Sequence, residues 1–182
     1  GAGMVTRVRA VVGTDRRIAA MDVTANSAPH GNRPGRNGSP NLRAAAYLER
    51  PLPPARSSDI PLANGGGADR NAVPGYAIPN LKIAKRVVHD VPYRTSSLRA
   101  LGGHLNVYAI ETLMDDIAAG LGEDPIAFRL AHLDAARARA GIEAVAADVG
   151  PASPSALLYT SYRADCRSRL TARATSTPHT QR

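Results

Sequence analysis

Hydrophobic and polar residues alternate along two segments near the start of the chain. In residues 4–12 (MVTRVRAVV), every second position from Met4 is apolar or Thr, and Arg7 and Arg9 occupy intervening positions. This period of two is typical of a β-strand with one buried face. A second strand is predicted at 18–25 (IAAMDVTA), and residues 13–17 have the composition of a tight turn. The pattern therefore predicts an antiparallel hairpin over 4–25, without chemistry of its own.

The next part of the chain, from residue 26 to about 80, shows no sustained period and is rich in Gly, Pro, Asn and Arg. We expect a long irregular loop here, with one short helical turn at 42–49. A third strand is predicted at 81–88 (LKIAKRVV), because Leu81, Ile83 and Val87 fall at alternate positions. Pro92 ends this strand, since proline cannot donate to a sheet.

Helical periodicity dominates residues 104–149. Over 104–121, apolar residues spaced three and four apart predict one buried stripe; they are Val107, Ile110, Met114, Ile117 and Leu121. Asp124 and Pro125 are a strong start for a second helix, because Asp caps free N–H groups and Pro fits the first helical position. This helix would bury Ile126, Leu130 and Leu133. A third helix is predicted at 135–149, with Asp134 as its cap. The predicted fold class is α+β: a hairpin, a further strand, a long loop and three C-terminal helices.

Composition changes after residue 150. Residues 151–182 carry five arginines against one aspartate, a net +4 of the chain's +8. The segment has neither a helical stripe nor alternation, so we expect a disordered basic tail. Its content of Arg, Ser, Ala and Pro favours a frameshifted or truncated gene as its origin.

Several function classes are excluded or disfavoured by composition. Cys166 is the single cysteine, so an intrachain disulfide and a CxxC metal site are excluded. The five histidines show no metal-ligand spacing, so no metal ligand is expected. No apolar run approaches the roughly 20 residues of a membrane span, and no signal-peptide pattern is present. Location in the cytoplasm or periplasm stays open. Carboxylates at Glu111, Asp115 and Asp116, and Arg137 and Arg139, are expected on solvated helix faces.

The candidate chemistry lies in the turn 96–103 (SSLRALGG). Small residues before a helix can expose backbone N–H groups, and a helix N-terminus favours an anion. Arg99 adds a charge suited to phosphate or oxo groups. On spacing alone, an ordinary strand-to-helix turn remains the alternative. A second glycine-rich segment, 65–71 (GGGADRN), lacks the GxxxxGK[ST] form, so we expect no phosphate cradle there.

The order of strand, arginine–glycine turn and capped helices over 93–146 resembles the molybdopterin-binding large subunit of the xanthine dehydrogenase/aldehyde oxidase family. Within it, the chain looks most like the bacterial nicotinate dehydrogenase and isoquinoline 1-oxidoreductase branch. The resemblance covers 4–149 more weakly. It implies that residues 1–150 are an incomplete slice of a larger molybdopterin-binding domain. Family subunits are several times longer, and this sequence starts within a predicted strand, so we expect a piece of a larger enzyme.

The resemblance also implies roles for individual residues of the turn. In the family, an Arg-Gly-aromatic-Gly turn lines the molybdenum site. Arg99 matches the arginine, Ala100 stands at a glycine position, and Leu101 replaces the aromatic residue, so ring stacking on the substrate is not expected. The implied cofactor-binding residues are Arg99, Ala100, Gly102 and Gly103, and the implied substrate-wall residues are Leu98 and Leu101.

The implied activity is hydroxylation of an N-heterocycle or oxidation of an aldehyde, with oxygen from water and molybdopterin cytosine dinucleotide carrying molybdenum as cofactor. An iron–sulfur small subunit is the implied partner, and a cytochrome c subunit is left open. The family's catalytic glutamate segment is not in this sequence, so no catalytic residue is assigned. We expect that the chain alone neither retains molybdenum nor turns over. The alternative is a basic nucleic-acid-binding or vestigial protein, disfavoured because half the charge lies in the tail and stacking aromatics are few.

Overall fold

The computed structural model describes residues 1–31, 43–52, 58–91, 95 and 97–149. Its first compact unit is Gly1–Ala140. The strands are β1 (Met4–Val12), β2 (Ile18–Ser27) and β3 (Asn80–Val87), and the α-helices are α1 (Gly103–Leu121), α2 (Pro125–Ala131) and α3 (Ala136–Val149). Short 3₁₀ helices lie at Arg43–Tyr47 and Leu62–Asn64. The predicted α+β class is confirmed, whereas the expected tail at 151–182 lies outside the described residues.

The three strands form one sheet in the order β1-β2-β3. β1 and β2 pair antiparallel from Met4 opposite Ser27, which confirms the predicted hairpin, and β2 extends two residues beyond its predicted end. β3 pairs parallel with β2, from Asn80 opposite Ala20. A parallel neighbour requires a crossover, and the chain between β2 and β3 makes it. The long segment expected to be irregular is therefore the crossover connection of the sheet.

The hydrophobic core joins β2, α1 and α2. Residues buried in it include Met21, Val23, Ile110, Met114 and Phe128. The predicted stripe of α1 is right at Ile110 and Met114 but wrong at Val107, which is 41% exposed. The buried line of α1 instead runs through Gly103, Asn106, Ile110, Met114 and Ala118. The helix is rotated toward its polar residue Asn106 because that side chain has partners in the crossover.

The predicted start of α2 is confirmed at its cap. The Asp124 carboxylate accepts hydrogen bonds from the backbone N–H groups of Ile126 and Ala127, at 3.0 and 2.8 Å. The predicted face is wrong at Ile126, which is 38% exposed, because Phe128 fills the core instead. α3 begins at Ala136, one residue later than predicted. None of the helices within the described ranges is long and apolar enough to span a membrane.

His132 joins the end of α2 to the start of β2. Its Nε2 accepts from the backbone N–H of Ile18 at 2.9 Å, and its Nδ1 lies 2.8 Å from the carbonyl oxygen of Phe128. Because a backbone N–H can only donate, Nε2 must be unprotonated and Nδ1 must carry the proton. Both ring nitrogens of this buried histidine are thus used to join segments of the core.

Candidate functional site

An open recess of about 640 Å³ lies at the turn before α1. Its lining residues are Arg70, Ser97, Leu98, Arg99, Ala100 and Leu101. Four of the six candidate residues from the sequence are therefore brought together here. The other two, Gly102 and Gly103, are buried and are not among the lining residues. Arg70 was not a sequence candidate, because it belongs to the glycine-rich segment for which no site was expected.

The turn itself has an uncommon backbone. Ala100 and Leu101 both have positive φ, at 72° and 55°, although neither is glycine. Each such residue costs on the order of 1 kcal/mol, because Cβ crowds the following carbonyl. The turn is closed by hydrogen bonds from Leu101 N–H to Leu98 and from Gly103 N–H to Ala100, both at 3.0 Å. These bonds within the turn hold the strained conformation in place.

These hydrogen bonds change one expectation from the sequence. The backbone N–H groups of Leu101, Gly102 and Gly103 all donate to carbonyl oxygens of the protein. They are therefore not available to an anion, contrary to what a glycine turn before a helix suggests. An anionic ligand in the recess would depend on side-chain charge.

Gly102 holds the glycine-rich loop against the turn. Its N–H donates to the carbonyl oxygen of Gly67 at 3.0 Å. A Cβ built at Gly102 would lie 2.4 Å from the carbonyl oxygen of Ala68, which real Cβ atoms do not tolerate. Only glycine therefore permits this close approach. The segment 65–71 packs on the turn and contributes Arg70 to the recess.

Asn106 is the second connection between loop and helix, and the sequence analysis missed it. Its fully buried amide nitrogen donates to the carbonyl oxygens of Ala68 and Arg70, at 2.8 and 2.9 Å. Its Oδ1 accepts from the hydroxyl of Thr6 on β1 at 2.9 Å. Both donors and the acceptor are thus used. A signal was present in the sequence, since a polar residue occupies the buried side of the helix.

A cluster of charged side chains, formed by Lys85, Asp69 and Asp59, also anchors the glycine-rich loop. Lys85 of β3 lies 2.8 Å from the Asp69 carboxylate and 3.2 Å from that of Asp59. Asp59, whose side chain is 5% exposed, also accepts from the N–H groups of Ala68 and His30, at 3.0 and 3.1 Å. Sequence patterns did not reveal this cluster, because its members lie on separate segments.

Two members of this cluster, Asp59 and Lys85, are held in their charged forms by their partners. Burial alone would raise the pKa of Asp59, but the hydrogen bonds from Ala68, His30 and Lys85 outweigh it and the pKa is lowered. Burial opposes the charge of Lys85 as well, yet its bonds to Asp69 and Asp59 raise its pKa. Asp59 and Lys85 are therefore both charged at neutral pH.

His30 and Ser27 form a buried pair at the end of β2. The Ser27 hydroxyl lies 3.1 Å from His30 Nε2, and burial lowers the pKa of His30, partly offset by Asp59. The Ser27 hydroxyl also donates to the carbonyl oxygen of Ala28 at 2.8 Å, and the residue is buried. It is therefore inaccessible as a nucleophile. The hydroxyl of Ser97 donates to the carbonyl oxygen of His30, which ties the turn to this region.

The three carboxylates of α1 were expected on a solvated face, but two of them are partly buried in ion pairs. Arg129 of α2 pairs with Glu111 at 2.9 Å and with Asp115 at 2.7 Å, and its side chain is 14% exposed. The Tyr76 hydroxyl lies 2.9 Å from both carboxylate oxygens of Glu111. Burial, with Glu111 adding to it, raises the pKa of Tyr76 well above its ordinary value. The prediction was wrong for Glu111 and Asp115, which clamp α1 to α2, and Asp116 is exposed as predicted.

The arginines of α3 also differ from each other. Arg137 is exposed as predicted, whereas Arg139 is half-buried. Arg139 donates to the carbonyl oxygens of Leu130 and Leu133, the latter at 3.1 Å. It therefore supplies a hydrogen-bond donor to carbonyl groups near the end of α2, where no further helical turn follows to supply backbone donors.

The charges of the recess are not neutralised within the described part of the chain. Neither Arg70 nor Arg99 forms an ion pair with any residue there. Among the same residues, no group of three or more His, Cys, Asp or Glu side chains is placed to hold a metal ion. What the recess offers is therefore cationic and apolar, which suits an anion with a hydrophobic part.

Residues 65–133 match the family model of the molybdopterin cofactor-binding domain. The matched segment contains the glycine-rich loop, β3, the turn of the recess, α1 and α2. The match supports the molybdopterin-binding family for this segment, without distinguishing a branch of it. The comparison with curated proteins gave no match.

Proposed function

We propose that the recess is part of the cofactor and substrate site of a molybdenum hydroxylase. One observation carries the proposal. The strained Ala100–Leu101 turn, with Arg99 exposed and without an ion pair in the described residues, lines an open recess within the segment that matches a molybdopterin-binding domain. Strained backbone conformations of this kind cluster at functional sites, where the surrounding structure holds them.

The chemistry of the recess fits an anionic cofactor. Guanidinium groups bind phosphate oxygens through paired N–H donors, and a dinucleotide form of molybdopterin carries a diphosphate. Leu98 and Leu101 supply apolar walls, and small-molecule sites have volumes of about 300–1,000 Å³. The roughly 640 Å³ of the recess falls within that range. We therefore assign cofactor-binding roles to Arg99 and Ala100. We extend these roles to Gly102 and Gly103, which are buried and support the turn without lining the recess.

When bound, the cofactor would supply the redox chemistry for hydroxylating a carbon centre with oxygen from water. The residues of this chain would bind and orient. Arg99 would neutralise anionic charge of the cofactor, and Leu98 and Leu101 would hold a flat substrate by dispersion contacts while excluding water. We assign no catalytic residue within the described part of the chain.

The finer features of the proposal follow from the resemblance of the turn and helices. They are a cytosine dinucleotide form of the cofactor, an N-heterocycle or aldehyde as substrate, and an iron–sulfur small subunit as electron acceptor, with a cytochrome c subunit left open. They also include a place in the xanthine dehydrogenase/aldehyde oxidase family, in its nicotinate dehydrogenase and isoquinoline 1-oxidoreductase branch. Residues 1–150 would form part of the molybdopterin-binding domain.

A titration tests the proposal without requiring the chain to retain molybdenum through purification. The ¹⁵N-labelled full chain is titrated anaerobically with molybdopterin cytosine dinucleotide freed from a purified molybdoenzyme. We expect amide shifts at residues 98–101, and binding weakened about tenfold by Arg99→Gln, the loss of one charged contact. Arg7→Gln, an exposed arginine of β1, is the matched control and should bind like the wild type. Equal binding by R99Q would reject the proposal.

A second candidate function, nucleic-acid binding, is favoured by the exposed face of the sheet. Arg7 and Arg9 of β1 and Arg86 of β3 are exposed there. Such a face could contact phosphates, although it offers no aromatic side chain for base stacking. The test is salt-dependent retention of single-stranded DNA by the full chain. Loss of retention in the R7Q/R9Q double variant, but not in R99Q, would favour this candidate.

A further inference from the structure

We infer that Arg70 is the second cation of an oxyanion site that it forms with Arg99, and that Asn106 is the residue that positions Arg70 for it. The site would take a phosphate-class dianion. The inference rests on the proposed function only for the source of that dianion, namely a phosphate group of the cofactor. The pairing of the two arginines rests on a separate observation, that both line the same recess.

The two arginines come from separate segments that are fastened together. Arg70 belongs to the glycine-rich loop and Arg99 to the turn, and both line the recess. The Gly102 N–H donates to Gly67 at 3.0 Å. The Asn106 amide donates to Ala68 at 2.8 Å and to Arg70 itself at 2.9 Å. The backbone that carries Arg70 is thus held directly by the first turn of the helix that follows Arg99.

The acidic residues of the loop are not available to neutralise Arg70. Asp69 uses one carboxylate oxygen for the Gly67 N–H, at 3.2 Å, and the other for Lys85, at 2.8 Å. Asp59 is occupied by Lys85 and by backbone N–H groups. Two positive side chains therefore line one recess without a counter-ion from the described residues. A bound anion would supply the missing negative charge.

The chemistry of the donors selects the class of ligand. Planar guanidinium groups bind the oxygens of phosphate in pairs, and two of them match a doubly charged anion better than a carboxylate. The backbone N–H groups of residues 101–103 are occupied, so the arginines must carry the binding. Since both side chains are exposed, solvent and salt weaken the attraction, and we expect weak, salt-sensitive binding.

Asn106 acts through the backbone of Arg70 and does not touch the anion. All its hydrogen-bonding groups are used within the protein. Shortening it to serine removes the donors that reach Ala68 and Arg70, so the backbone of Arg70 loses its hydrogen bond to the helix, while Gly102 still holds Gly67. Arg99 lies on the turn and keeps its own position. We therefore expect Asn106→Ser to abolish the contribution of Arg70 selectively.

Pyrophosphate is the probe, and calorimetric titration of the full chain is the measurement. Arg70→Gln and Arg99→Gln should each weaken binding about tenfold, and R7Q should not. Because both arginines would hold the same anion, the loss in the double variant should be smaller than the product of the single losses. Wild-type affinity in R70Q, or a double loss equal to that product, would overturn the inference.

The Asn106→Ser variant gives the readout that separates positioning from general stability. Its fold is checked by its amide spectrum and thermal unfolding. In this background, R99Q should still weaken binding of pyrophosphate, whereas R70Q should have no further effect. If R70Q weakens binding as strongly as it does with Asn106 present, the positioning role is wrong. If N106S does not fold, Thr6→Val takes its place, because it removes only the hydrogen bond to Asn106 Oδ1. In this background, R70Q should weaken pyrophosphate binding less than it does in the wild type. An equal weakening would reject the positioning role of Asn106.

The two proposals can fail separately. Arg70-dependent binding of pyrophosphate without amide shifts from the cofactor would reject the proposed function and support the oxyanion site. The opposite outcome has two parts: Arg99-dependent binding of the cofactor is unchanged in R70Q, and R70Q binds pyrophosphate with wild-type affinity. This result would support the proposed function and reject the oxyanion site.

Discussion

A Cβ atom at Gly102 would lie 2.4 Å from the carbonyl oxygen of Ala68. The two residues are far apart in the chain, yet their backbones are in direct contact. This contact brings the glycine-rich loop to the turn, and with it the two arginines to one recess.

Gly102→Ala should therefore destabilise the protein by about 2 kcal/mol, because the loop or the turn must shift to accommodate a methyl group. Gly120→Ala is the matched control. A Cβ at Gly120 has no neighbour within 4 Å, and alanine is favoured over glycine in a helix by roughly 0.5–1 kcal/mol. The free energies of unfolding in urea should move in opposite directions. A G102A variant as stable as the wild type would contradict the close approach.

Ala100→Gly should stabilise the protein by about 0.5–1 kcal/mol. Ala100 has a φ of 72°, and glycine adopts this conformation without steric cost, although it gains entropy in the unfolded chain. Ala119→Gly, an exposed position of α1, is the control, and it should destabilise by a similar amount. Denaturant unfolding of both variants checks the prediction. Destabilisation by A100G would mean that the turn is not strained at this residue.

Asp59→Asn should destabilise the protein by about 2 kcal/mol at pH 7, because a buried carboxylate with several donors is lost. The folded-state pKa of Asp59 lies below its ordinary value of 3.8. As the pH falls, the unfolded state binds the proton first. The contribution of Asp59 to the free energy of unfolding is therefore complete above its ordinary pKa of 3.8. It is lost as the pH falls through the lower pKa of the folded state.

The difference in unfolding free energy between wild type and D59N should therefore narrow in acid. It is measured at pH 7 and at steps down to about pH 3, with the exposed Asp116→Asn as control. The comparison at each pH cancels the titration of other groups that the two proteins share. A difference that stays constant down to the lowest pH would show that Asp59 is not held ionised by its partners.

Arg129→Met should destabilise the protein by about 2 kcal/mol. It preserves most of the apolar stem but leaves Glu111 and Asp115 without their cation in a half-buried site. Arg137→Met, at an exposed position of α3, should change stability by less than about 0.5 kcal/mol. Thermal unfolding of the two variants provides the test. Equal melting temperatures would show that the clamp between α1 and α2 contributes nothing.

Much of the fold could be predicted because its signals are local. The alternation in β1, the cap at Asp124 and the helical periodicity around Met114 each depend on residues within a few positions of one another. Errors arose where a distant partner determines which side of an element is buried. Val107 is exposed, because Asn106 turns the helix toward the crossover to reach Ala68.

The candidate site was predictable in part. Leu98, Arg99, Ala100 and Leu101 were singled out from one short turn, and the structure places them at one recess; their roles in binding stay predictions. Arg70 could not be found in this way, because nothing in the segment 65–71 indicates which other segment it contacts.

The sequence by itself determined the class of the fold, the extent of its helices and strands to within one or two residues, and the turn that carries Arg99. Periodicity and capping determine these features, and both act over one or two turns of chain. The tertiary structure alone decided the parallel pairing of β3 with β2, the cluster of Lys85 with two aspartates, and the meeting of Arg70 with Arg99. These contacts join segments far apart in the chain, so they form only when the packing of the core brings those segments together.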